Sequence, residues 1–112
     1  MVESASRILR RVLREEAFYF FSSIGNYIGQ SAASLGEFLE KIKEVDSRSL
    51  EFHLYRGDFE KWIDEVLGDA GLAKTIKELR HQKLVGDHLK DQLQLAILKR
   101  YSELETGPSH VE

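Results

Sequence analysis

Three short apolar stripes, separated by helix-stopping and helix-starting residues, constrain this chain more than any other feature. In SLGEFLEKIKEV, Leu35, Phe38, Leu39, Ile42 and Val45 recur at helical spacing. Ser34 and Glu37 form a capping box ahead of them. In DFEKWIDEVL, Phe59, Trp62, Ile63, Val66 and Leu67 repeat the pattern, with Gly57 as the break and Asp58 as the expected cap. Gly68 fits a left-handed helix stop, and Asp69 starts a third stripe of Leu72, Ala73, Ile76 and Leu79. Helices this short do not bury a stripe alone, so they must pack on one another. The expected fold is all-α, a compact orthogonal bundle of five to six short helices. Its core joins Leu35/Phe38/Leu39/Ile42, Phe59/Trp62/Ile63/Val66 and Leu72/Ile76/Leu79.

The flanks fit the same scheme less tightly. SRILRRVLREE places Ile8, Leu9, Val12 and Leu13 on one side of a basic amphipathic helix, expected over 1–16. AFYFF at 17–21 reads either as a strand or as the buried continuation of that helix. SSIGNYIGQSAAS, rich in Ser and Gly, reads as a loop. In SLEFHLY, Leu50, Phe52 and Leu54 alternate as in a strand, but both flanks are helical and no partner strand is evident, so a helix is expected, capped by Asp46 or Ser49. Asp87 should cap a long last helix to about Glu105, with Leu89, Leu93, Ala96, Ile97, Arg100 and Leu104 near one side. Residues 106–112 should fray. The whole is one domain, with its core over 17–105.

Composition narrows the class. The chain has 112 residues, 42% hydrophobic and 31% charged, the profile of a folded domain. It has no cysteine, which excludes disulfides and thiolate chemistry. The net charge of −3 leaves no global attraction to nucleic acid. No apolar run approaches the roughly 18–20 residues of a membrane span. Arginines interrupt the apolar residues at the N-terminus, unlike a signal peptide, so a cytoplasmic protein is expected. One proline, one methionine and many Lys and Glu suit a thermophile.

The run SAASLGEFLEKIKEVDSRSLEFHLYRGDFEKWIDEVLGDAGLAKTIKEL, with AFYFF before it, resembles a prokaryotic, largely archaeal family of helical domains of unknown function, DUF5752. The motifs carrying the likeness are AFYFF, ASLGEF, FHLYRGDF and WIDEVLGDAGLA. The resemblance implies a helical accessory module, an adaptor or regulator, and brings no catalytic residues with it. SRILRRVL lies outside the pattern.

FHLYRGDFEKWI concentrates the reactive side chains. His53 is a candidate base, with Asp58 to orient it and Arg56 to hold an anion. The simpler reading places His53 in the core, fixing two helices, and uses Asp58 as a cap. RGD at 56–58 reads as arginine, turn glycine and cap aspartate rather than an adhesion motif. His53 and Arg56 are the residues that the helix scheme leaves unassigned. Tyr27 and Gln30 are the polar candidates in the Ser/Gly-rich stretch, which lacks the patterns of nucleotide-binding loops. His81, Asp87, His88 and Asp91 lack the spacing of a metal site. Arg7, Arg10, Arg11 and Arg14 mark the first helix as an interaction surface, and its apolar side as a homodimer contact. The basic residues after LGDAG, Lys74, Lys77, Arg80 and Lys83, follow an acidic helix, which disfavours nucleic acid.

The expected function is a non-enzymatic protein-binding or regulatory module for a larger protein partner, without cofactor or metal. The alternative is a domain that binds a small ligand, nucleotide or sugar, or nucleic acid.

Overall fold

The computed structural model describes residues 2–106. Helix α1 spans Val2–Leu9, and a single 3-10 turn follows at Arg14–Glu16. Strands β1 (Phe18–Phe21) and β2 (Tyr27–Ala32) form a two-stranded antiparallel hairpin. Helices α2 (Leu35–Glu44), α3 (Ser47–Arg56), α4 (Asp58–Trp62), α5 (Ala70–His81) and α6 (Gly86–Thr106) complete the chain. A π-helical turn, Ile63–Leu67, prolongs α4. Among the described residues, no helix is long and apolar enough to cross a membrane.

The fold is therefore mostly helical, not all-α. Within AFYFF, Phe18–Phe21 form a strand, and the stretch expected to be a loop supplies its partner. The physical reason lies in β1, where Phe18 and Phe20 alternate into the core. β2 buries only Ala32 fully, so its sequence shows no comparable alternation. The ladder pairs Phe20 with Gln30 but Phe21 with Tyr27, a bulge that Gly29 accommodates at φ 80°.

The three stripes form the core as expected, apart from Val66, which is only half-buried. Aromatic rings from both β1 and the helices meet there: Phe18–Phe59 at 5.1 Å, Phe38–Phe59 at 5.2 Å and Phe38–Trp62 at 5.3 Å between centroids. These separations suit tilted and edge-on packing. α6 packs across α2, α3 and α5 and closes the core with Leu89, Leu93 and Ile97.

The N-terminal helix is shorter than the expected 1–16. It ends at Leu9, where Arg10 turns back, donating through Nη1 to the Arg7 carbonyl at 2.7 Å and through Nη2 to the Val66 carbonyl at 2.8 Å. The Val12 N–H then donates to the Ala33 carbonyl at 2.7 Å. Ile8 and Val12 are buried within this one chain. The apolar side expected to meet a second copy is thus largely used inside the fold, leaving Leu13 exposed.

The caps divide into kept and reassigned residues. Ser34 accepts from the Glu37 N–H at 3.2 Å, and Asp46 from the Arg48 N–H at 2.8 Å. Glu37 reaches one residue further back than a capping box requires, accepting from the Ala33 N–H at 2.8 Å. Asp69 caps α5 through the Leu72 N–H at 3.1 Å and is buried against Arg100, whose Nε lies 2.7 Å from Oδ2. Asp87 lies within the first turn of α6 instead of ahead of it; the Gly86 N–H is taken by Glu51 at 2.7 Å. Ser49 and Asp58 do not cap helices, because both are drawn to the hairpin side of α3.

Candidate binding cavity beside the hairpin

Ser49 and His53 stand four residues apart on the buried face of α3, so both meet the same strand. The Ser49 hydroxyl donates to the Phe21 carbonyl at 2.7 Å, and the Phe21 N–H donates to His53 Nε2 at 2.8 Å. One residue of β1 is held at both its peptide groups. Because Nε2 accepts, the ring proton sits on Nδ1, which donates to Asp58 Oδ2 at 2.8 Å. Gly57, at φ 81°, makes this bond reachable: its left-handed turn ends α3 and brings Asp58 back over the helix.

His53 is 3% exposed and ringed by Phe18, Phe20, Phe21, Phe52 and Phe59. Burial holds its pKa below the ordinary histidine value; the neighbouring Asp58 opposes that shift only in part. The imidazole is neutral, and its contact with Asp58 is a hydrogen bond rather than an ion pair. Both ring nitrogens are engaged, so no lone pair is free to take a proton from a substrate.

Arg56 is fixed at two points. Its Nε lies 3.3 Å from Asp58 Oδ2, and its guanidinium carbon lies 4.8 Å from the Phe52 ring centroid. The RGD tripeptide is therefore closed on itself, arginine to aspartate.

These residues form one side of a cavity of about 490 Å3 between β1, the hairpin turn, α3 and α4. Phe21, Phe52, Trp62 and Val66 give it an apolar wall, and Arg56 and Lys61 stand among its charged residues. Ile24, at the hairpin tip, also borders it and is 84% exposed. Trp62 is anchored by its Nε1–H, which donates to the Glu16 carbonyl at 2.7 Å.

The structure thus joins His53, Arg56 and Asp58, the three residues grouped in the sequence, at one cavity, and adds Lys61, Phe52 and Ile24, which the sequence did not single out as site residues. The five-residue spacing of His53 and Asp58 across a glycine is the one sequence signal that points to their pairing. Tyr27 and Gln30 do not border the cavity. Tyr27 packs its ring against Phe21 at 5.6 Å and Tyr19 at 5.9 Å, and Gln30 sits opposite Phe20 in the ladder.

The N-terminal arginines do not act as one patch. Arg10 ties α1 to the π-helical turn, Arg11 pairs with Glu37, Arg7 lies against Gly68, and Arg14 is exposed. Among the described residues, no three metal-ligating side chains come together. Comparison of the chain with family models, with curated proteins and with solved structures returned no match.

Proposed function

We propose that the chain is a non-enzymatic binding module that engages a larger protein partner at the cavity beside the hairpin. The observation that carries this reading is the open apolar cavity with Ile24 projecting at its border. An exposed large aliphatic residue beside an aromatic-walled recess is what an interaction surface offers. The commitment of both His53 nitrogens to the fold supports a binding role over a reaction. The likeness to the archaeal accessory-domain family and a cytoplasmic setting belong to the same proposal.

The small-ligand alternative is favoured by the cavity volume, which lies within the range of ligand sites. Nucleotides and sugars that select the folded state must raise the melting temperature, so a thermal-shift series separates that reading.

The protein-partner reading is tested by capture from native lysate on immobilised wild type, Ile24→Asp and Lys99→Glu. Lys99 is exposed on α6 and does not border this cavity. The expected result is a partner held by wild type and Lys99→Glu but released by Ile24→Asp. Equal capture by all three, or none at several salt concentrations, counts against the module.

A further inference from the structure

Resting on that reading, we infer that the cavity receives the carboxyl terminus of a partner chain, with a large apolar last residue in the recess and its α-carboxylate on Arg56 and Lys61. Charge complementarity argues for the carboxylate. The contact with Asp58 uses the Arg56 Nε, and the Phe52 ring supports the guanidinium face, which leaves the Nη groups to serve a ligand. A guanidinium fixed in this way gives up little freedom on binding a carboxylate. Lys61, one turn into the next helix, makes no ion pair among the described residues. Asp58 and Glu65 also border the cavity, so its formal charges balance and an occupant with more than one negative charge is disfavoured.

The strand edge argues for a peptide rather than a fatty acid. Phe21 turns its N–H and C=O away from β2, toward His53 and Ser49. In an antiparallel ladder this direction alternates, so the peptide groups of Tyr19 point the same way. Tyr19 borders the cavity. Its N–H and C=O are the groups a bound main chain can pair with, as in peptide recognition at a sheet edge. An alkyl chain has no use for them.

Trp62 is the only tryptophan and lies in the cavity wall, so its fluorescence reports occupancy directly. The probes are N-acetylated tetrapeptides ending in leucine, isoleucine or phenylalanine, each as free acid and as C-terminal amide, with decanoate alongside. At least one free-acid peptide should shift the Trp62 emission saturably, with its amide binding about tenfold weaker or worse. Arg56→Gln and Lys61→Gln should each weaken the acid peptide several-fold. Lys61 is exposed, so Lys61→Gln keeps the test decisive where Arg56→Gln lowers the melting temperature. Equal binding of acid and amide overturns the inference, as does decanoate binding as tightly as the best peptide. Silence from every peptide, with a partner still lost on Ile24→Asp, removes the carboxylate and leaves the module. Silence in both experiments removes both.

Discussion

Replacing His53 by alanine tests the pin between α3 and the hairpin. The substitution removes the acceptor of the Phe21 N–H and the donor to Asp58. Each net hydrogen bond is worth about 1 kcal/mol, and a stranded peptide N–H costs roughly 1–3 kcal/mol. Asp58 is partly exposed, so water can replace its lost donor. The ring also leaves a void among Phe18, Phe52 and Phe59, whose centroids lie 4.8, 5.0 and 5.6 Å from its own. With incomplete collapse of that void, the total is about 3–5 kcal/mol. Ser49→Ala loses the bond to the Phe21 carbonyl, in the next peptide group, and should cost about 1–2 kcal/mol. Because the two side chains hold the peptide groups on either side of one residue, the double variant should depart from additivity by about 0.5 kcal/mol or more.

Urea unfolding of the four proteins measures these terms, and the pH dependence supplies an independent check. The folded pKa of His53 is depressed, so the unfolded chain binds its proton first as pH falls. The contribution of His53 to stability is full above the unfolded value of about 6.5 and declines as pH drops from there through the folded value. His53→Ala should flatten that part of the profile. A cost below about 1 kcal/mol, or an acid slope unchanged in the variant, would refute the pin.

Two further predictions concern the rest of the fold. Phe59→Ala and Trp62→Ala, each removing a buried ring, should lower stability by about 3–5 kcal/mol in chemical denaturation; melting like the parent would displace either ring from the core. Arg100→Ala leaves the buried Asp69 carboxylate without its guanidinium and should cost about 3 kcal/mol, whereas Arg100→Lys should recover only part of it, as read from denaturation midpoints.

The sequence by itself determined the helices whose periodicity and punctuation agree. The stripes of α2, α4 and α5 were legible because their apolar positions recur at close helical spacing, and the caps and stops at Ser34, Asp46, Gly68 and Asp69 act locally. Such interactions need no knowledge of what lies elsewhere in the chain. His53 and Arg56 stood out for the converse reason, as polar residues that a local scheme left unemployed.

The tertiary structure decided everything that rests on distant partners. β1 became a strand because Phe18 and Phe20 bury against α2 and α4, while β2 carried too little alternation to announce itself. Asp58 reads either as a cap or as the partner of His53, and the strand far back in the chain that holds the histidine decides for the second. Ser49 is drawn to that strand in the same way. Ile8 and Val12 were free to meet a second copy on paper, and only folding showed them covered by their own chain. The cavity exists in no single segment: it is the space left where a hairpin and two helices meet, and the side chains around it are chosen by packing as much as by pattern.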